Sequence, residues 1–246
     1  MTRINAKTMR WFFTFVTIVA CAIGCGFSIL AADDESEATA EDSSAGLAEE
    51  YAKNYLIAAS TISPDKKFGV IYPKEDSTEE KDYLVRLEPF SVLGALDTPE
   101  PYHENQSHGG ISAKWSEDTA AALVTLDGKW GPRDVLLLEL RDGKLKPTTS
   151  LLSKVAELLR PNLRKYSKDK PLIYIEGGFL FTACEVSFRD TKSVNISAEA
   201  TTNPKFPDTS TWDGEAEVIW NIREAKFTSK KVSGGMRKKG EEAPDE

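Results

Sequence analysis

The sequence of 246 residues is poor in the side chains that most often bind metals or act as nucleophiles. It contains only three cysteines and two histidines. Cys21 and Cys25 lie in an apolar N-terminal run, so Cys184 is the one cysteine in the rest of the chain, where no intramolecular disulfide can form. Because few imidazoles are present to activate a thiol, we expect Cys184 to be a buried strand residue.

Motifs that usually mark catalytic or nucleotide-binding sites are also missing. The sequence has no G-x-x-x-x-G-K-[ST] loop, no G-x-G-x-x-G before a helix, no C-x-x-C pair and no H-E-x-x-H helix. Nucleotide binding and zinc-dependent hydrolysis therefore lack their usual sequence support, and we expect no cofactor. The 39 acidic residues outnumber the 31 lysines and arginines, which gives a net charge of −8. Because an acidic protein repels phosphate backbones, we expect no nucleic acid partner.

The first 32 residues have the pattern of a secretory signal. Three basic residues, Arg3, Lys7 and Arg10, precede 22 uncharged residues at positions 11–32. Three outcomes are open: cleavage after the run, lipidation of Cys21 in the bacterial lipobox-like stretch IVAC, or retention of the run as a membrane anchor. All three predict an extracytoplasmic protein that is periplasmic, secreted or membrane-tethered. We expect membrane contact only through this segment.

We expect one β-rich domain between two polar segments. After the signal or anchor segment, residues 33–50 carry eight acids and no base, which predicts a solvated acidic spacer. Residues 51–233 hold the apolar runs needed for a single folded domain. Residues 234–246 lack apolar periodicity and are predicted to form a disordered tail.

The predicted fold class is mainly β, an antiparallel sheet of hairpins, because short apolar runs alternate with turn residues. The predicted strands are residues 55–62, 68–72, 83–89, 91–96, 111–115, 120–126, 135–140, 172–175, 179–188, 194–200 and 216–227. One amphipathic helix is predicted at about residues 150–160, since its leucines and valine share one face. Ser150 can cap its start, and Pro161 is expected to limit its end.

The N-terminal half contains a pattern that occurs twice. Ser63 begins a Ser-x-Asp turn that leads into an apolar strand, and Ser116 does the same 53 residues later. Asp82 begins a second apolar strand in the first copy, and Asp134 begins the matching strand 52 residues later. In such turns, serine and aspartate side chains can bond the local backbone.

These turns resemble those of WD-repeat-like β-propeller blades found in bacterial envelope proteins. Residues 62–66 (ISPDK) and 115–118 (WSED) resemble the W-S-P-D-G-K turn, and residues 142–144 (DGK) resemble the turn that ends a blade. The resemblance covers residues 61–144 and implies sheets that bind proteins or small ligands, with enzymes among the family. A propeller needs at least four blades of about 40–50 residues. We therefore expect two blade-like hairpins and no complete propeller; the alternative is two unrelated hairpins with common turn chemistry.

Two loops hold the candidate binding residues. Both histidines, His103 and His108, follow Tyr102 in one loop, and Trp130 occupies a predicted hairpin tip. If the loops lie at one end of the sheet, these four residues form a recognition surface. The alternative for Trp130 is an apolar cap folded over the sheet. His103, Glu104 and His108 are also weak candidates for a metal site, although a polar loop explains them equally.

The leading functional hypothesis is an exported, envelope-associated, non-enzymatic module that binds a protein or carbohydrate partner through these loops. The alternative is an extracytoplasmic hydrolase that uses carboxylates, or a metal at the His103/His108 loop. A structural envelope component without a small ligand is the third possibility.

Overall fold

We analysed a computed structural model, which describes residues 41–75, 80–98, 100–104, 106–166, 178–202 and 211–237. All of them belong to one compact unit, Thr39–Glu246. The signal or anchor segment with the lipidation candidate Cys21, residues 33–40 of the spacer, the predicted strand 172–175 and the last nine residues lie outside the described part. Among the described residues, no helix has the length and apolar character needed to cross a bilayer.

The described part is mainly β and contains three antiparallel sheets in which the strands follow chain order. Sheet 1 consists of β1 (Tyr55–Ala58), β2 (Phe68–Pro73), β3 (Tyr83–Arg86) and β4 (Ser91–Ala95). Sheet 2 consists of β5 (Gly110–Trp115), β6 (Ala121–Gly128), β7 (Gly131–Arg141) and two short strands paired with β7, β8 (Lys144–Leu145) and β9 (Thr149–Ser150). Sheet 3 consists of β10 (Leu180–Asp190), β11 (Ser193–Thr201), β12 (Thr211–Asn221) and β13 (Lys226–Arg237). The helices are α1 (Glu49–Ala52) and α2 (Leu151–Tyr166).

The predicted fold class is confirmed, and the described sheets do not close into a propeller. Within each sheet, consecutive strands pair antiparallel, except that β9 pairs with β7 and not with β8. The main helix is amphipathic and lies between sheets 2 and 3 in the chain, as the apolar periodicity predicted.

Sheet 2 is the central layer of the domain. Alternate residues of β6 and β7 point to opposite faces, and both faces are buried. Leu123 and Leu137 pack against α2 and sheet 3, whereas Val124 and Leu136 pack against sheet 1. Burial on both faces explains why the sequence of β7 is an apolar run without alternation.

The helix α2 extends further than predicted. Ser150 caps its start by accepting the N–H of Ser153 at 3.1 Å, as expected. Pro161 lies inside the helix, which ends at Tyr166. Pro161 is on the exposed side, and Leu163 continues the buried stripe against the core. This burial compensates for the backbone hydrogen bond that proline cannot donate.

Both ends of the described domain differ from the prediction. The predicted strand 216–227 is two strands, because residues 222–225 form a turn between β12 and β13. Strand β13 continues to Arg237, four residues into the predicted tail, and Val232 and Met236 pack against the core. Long-range packing thus orders a stretch that lacks local apolar periodicity.

Part of the predicted spacer lies on sheet 1. The backbone of Ser43 pairs with that of Ile57, and Leu47 packs against the outer face of the same sheet. Asp42 accepts hydrogen bonds from the N–H of Ala59 at 2.7 Å and from the hydroxyl of Tyr72 at 2.6 Å. Residues 41–50 are therefore not a purely solvated segment.

The two Ser-x-Asp turns occupy equivalent places in two separate sheets. One connects β1 to β2, and the other connects β5 to β6. The hydroxyls of Ser63 and Ser116 donate to the carboxylates of Asp65 and Asp118, both at 2.7 Å. The residue after each Asp has a positive φ, 58° in the first turn and 52° in the second. The repeated sequence pattern is therefore a repeated local structure.

Candidate functional site

The predicted binding residues lie on two segments at the same end of sheet 2. The first is the histidine loop between β4 and β5, described at residues 97–98, 100–104 and 106–109; the second is the β6–β7 hairpin tip, residues 128–131. Because β5 begins where β6 ends in the register, the loop and the tip meet at this edge, which we call the loop end.

Arg133 connects the two segments. It lies at the start of β7, and its guanidinium donates to Glu100 at 3.2 Å and to Gln106 at 3.1 Å, both in the histidine loop. Its side chain also lies against Gly128 of the hairpin tip, where an added Cβ would be 2.6 Å from Cγ of Arg133. The loop end is thus held together by a partly buried cation from the central sheet.

Tyr102 anchors the histidine loop to sheet 1. Its backbone N–H donates to Oδ2 of Asp82 at 2.9 Å, and its ring meets that of Tyr72 edge-on at 4.8 Å between centroids. Glu104 connects the loop to sheet 1 a second time, because its N–H donates to the carbonyl of Pro73 at 3.2 Å. Burial raises the pKa of Tyr102. Tyr102 is therefore part of the support of the loop, with only part of its ring accessible.

Trp130 is 42 % exposed at the hairpin tip, so it does not fold back as a complete cap. The ammonium of Lys129 lies 5.1 Å from its ring centroid. The next residue, Gly131, has a φ of 133°, and a Cβ there would be 2.8 Å from the carbonyl oxygen of Thr182. This close approach fixes the tip against β10 and leaves the indole projecting from a rigid base.

The structure separates the three weak metal candidates. His103 is half-buried and makes an interaction of its own, whereas Glu104 and His108 are exposed. Among the described residues, no three His, Cys, Asp or Glu side chains converge to hold a metal ion. His108 has a φ of 59°, in the turn that leads into β5.

The sequence did not single out Asp82 as a site residue, yet it is the most unusual ionisable group at the loop end. It is 0 % exposed, and its Oδ1 has no hydrogen-bond partner among the residues that the structure describes. Burial raises the pKa of the Asp82 carboxyl to about 7, against the opposing effects of the Tyr102 N–H and the charge of Arg133. Nε of Arg133 is also buried without a partner.

The repeated sequence pattern could have identified Asp82, because it pairs Asp82 with Asp134. Asp134, the counterpart of Asp82 in sheet 2, is also buried, at 8 % exposure. Its Oδ1 accepts the hydroxyl of Ser150 and the N–H of Val135, both at 2.7 Å. Burial raises the pKa of Asp134 as well. The two copies thus place a buried carboxyl at the same point, with different partners.

Two other features, a cysteine and a cleft, are less suited to catalysis or to selective binding. Burial raises the pKa of the Cys184 thiol to about 12, so the nucleophilic thiolate is scarce at neutral pH. A cleft of about 410 Å³ lies at the opposite end of sheet 2, where residues of sheets 2 and 3 meet. Its charged residues are of both signs, so no ligand charge is selected: Asp118, Glu139, Arg141, Lys192 and Arg223.

No protein-family model matches the sequence, and no curated protein matches it. The function is therefore inferred from the residues of the loop end.

Proposed function

We propose that the protein is a non-enzymatic binding module whose loop end recognises a protein partner. The observation that carries this proposal is the exposed indole of Trp130 on a tip fixed by Gly131. A large apolar side chain held in solvent by a rigid hairpin is suited to an interface, where tryptophan, tyrosine and arginine supply most of the binding energy.

The surroundings of Trp130 favour a protein over a small molecule. Small ligands usually occupy concave pockets, whereas Trp130 projects from a hairpin tip. Lys129 lies next to it, and the exposed polar residues Glu100 and His108 belong to the histidine loop at the same end of sheet 2, as in the rim of a protein interface. A carbohydrate is the second candidate, because an exposed indole face can also stack on a sugar ring. The hydrolase alternative would need a metal site or a pair of catalytic carboxylates at the loop, and the described residues there do not converge on a metal site.

The N-terminal pattern of residues 1–32 supports a location outside the cytoplasm, in or at the bacterial envelope. The equivalent serine turns of sheets 1 and 2 support a relation to blade-like repeats, in which loops at the sheet ends bind partners.

The test compares two exposed aromatic residues. Trp130→Ala removes the proposed contact, whereas Tyr166→Ala is the matched control, since Tyr166 is 44 % exposed at the end of α2. Wild-type full chain and both variants are used as bait for envelope proteins, and the affinity for any captured protein is measured. We expect about a 30-fold or greater loss for Trp130→Ala, as for an interface hot spot of about 2 kcal/mol.

Both variants should unfold at the same temperature as the wild type, because neither side chain is buried. Equal affinity of the Trp130→Ala variant and the wild type would refute the site. If no protein is captured and the chain binds a glycan array in a way that depends on Trp130, the partner is a carbohydrate and not a protein.

A further inference from the structure

Asp82 lies between the core and the histidine loop. Its backbone carbonyl accepts the N–H of Leu96 at 2.8 Å, just where the loop begins, and its carboxyl accepts the N–H of Tyr102. The side chain is fully buried, and the loop contributes the Tyr102 N–H to its surroundings. Asp82 therefore holds the loop at two points, one of which depends on its ionisable group.

The charges around the Asp82 carboxyl compensate its ionisation poorly. Among the described residues, the cation that acts on it is Arg133, whose guanidinium is already bonded to Glu100 and Gln106. Within the part of the chain that the structure describes, the other titratable or charged groups near it or near Tyr102 are neutral or acidic, apart from the exposed Lys81 and the half-buried His103: Tyr102, Glu104, Tyr72, Asp42 and Tyr83. An ionised carboxylate here has one N–H donor and one oxygen without a partner, which is costly in a buried place.

We propose that Asp82 is a proton-controlled latch for the histidine loop: the closed loop, with Tyr102 docked against Asp82 and sheet 1, is favoured while the carboxyl is neutral, and ionisation loosens the loop so that water reaches Oδ1. The loop carries half of the proposed recognition surface, so loosening it weakens partner binding. That last step rests on the proposed function, whereas the release of the loop does not.

The structure sets the size of the effect. The pKa of Asp82 is about 7 in the docked loop, and the ordinary value of 3.8 applies when the carboxyl is hydrated. Linkage between these two values makes the population of the open loop grow about tenfold between pH 6 and pH 8. As the pH rises, Asp82 ionises more readily in the open, hydrated loop than in the closed loop. The closed loop is therefore favoured at the lower pH.

Hydrogen exchange of the full chain, without any partner, tests this latch. After correction for the pH dependence of intrinsic exchange, protection of peptides that contain Tyr102 should fall about tenfold from pH 6 to pH 8. Asp82→Asn should abolish the pH dependence. Asp134→Asn is the matched control, because it removes the equivalent buried carboxyl of sheet 2, which does not contact the loop; the tenfold change should persist.

A loop whose protection does not change with pH, or a change that persists in Asp82→Asn, would overturn the proposal. The variant His103→Ala/His108→Ala must keep the tenfold change, since histidine is the usual sensor near neutral pH. Should Asp82→Asn fail to fold, the carboxyl-carbon NMR titration of Asp82 in the wild type must share its midpoint with loop release. Partner capture by Trp130 is a separate measurement, so either result can fail without the other.

Discussion

Replacement of Gly214 by alanine should destabilise sheet 3, because the indole of Trp212 occupies the space above this glycine. Trp212 is 0 % exposed and is the largest fully buried side chain in the described part. Gly214 follows two residues later on the same face of β12, and its partner across the strands is Gly234 of β13. The ring thus lies over two glycines that face each other.

The expected cost follows from the distances. A Cβ on Gly214 would be 2.6 Å from Cζ2 of Trp212, and a Cβ on Gly234 would be 2.8 Å from the same atom, whereas ordinary contacts begin at 3.4 Å. Cη2 of Trp212 would be closer still to a Cβ on Gly214, so the indole must move by more than an ångström in a packed core. Overpacking of this kind costs about 1–3 kcal/mol, and the lower chain entropy of unfolded alanine recovers at most about 1 kcal/mol. We expect Gly214→Ala to lower the free energy of unfolding by about 2 kcal/mol.

Gly235→Ala is the matched control, since a Cβ at Gly235 has nothing within 4 Å. Urea unfolding of the full chain should show a lower midpoint for Gly214→Ala and an unchanged or higher midpoint for Gly235→Ala. Trp212→Phe should relieve part of the clash, so the two substitutions in one chain should be less harmful than their sum. Equal midpoints for the two alanine variants, or simple additivity with Trp212→Phe, would refute this account of the glycine.

Two further predictions concern the repeated sheets. The raised pKa of Asp82 means that the folded state binds the proton of this carboxyl more tightly than the unfolded state does. Its contribution to the free energy of unfolding is therefore fully present below about pH 4 and is lost as the pH rises to about 7. The difference in unfolding free energy between wild type and Asp82→Asn should shift by up to about 4 kcal/mol over that range; a pH-independent difference would contradict the burial argument. Ser63→Ala and Ser116→Ala should each cost about 1–2 kcal/mol, because each buried hydroxyl bonds its turn, whereas exposed Ser112→Ala should be neutral in the same urea assay.

Most of the fold could be predicted because its signals are local. Apolar runs separated by turn residues located the hairpins of sheets 1 and 2, and the helical stripe located α2. Strand β13 could not be found in this way, because Lys226–Arg237 has few apolar residues and two glycines. Gly234 leaves room for the indole of Trp212 on the neighbouring strand, and a contact between strands cannot be found from a local pattern.

The candidate site could be predicted only in part. Hairpin connectivity places Trp130 and the histidine loop at one end of sheet 2, so their shared location followed once the strands were known. The role of Arg133 could not be inferred, because it depends on the loop turning back toward β7. The sequence also left undecided whether Trp130 is exposed or folds over the sheet. It is exposed in the structure, where the close approach of Gly131 to β10 positions the hairpin tip.

Asp82 and Asp134 show why a repeat in sequence does not imply a repeat in function. Asp82 immediately precedes β3 and Asp134 lies near the start of β7, the third strand of each sheet, and both carboxyls are buried. A serine hydroxyl and a backbone N–H bond the same oxygen of Asp134, and Ser150 caps the rigid helix α2 as well. Asp82 has a loop N–H on one oxygen and no partner on the other, so its ionisation can be relieved by moving the loop. The same local pattern thus gives a fixed support in sheet 2 and the proposed latch in sheet 1, and the segment that covers each carboxyl makes the difference.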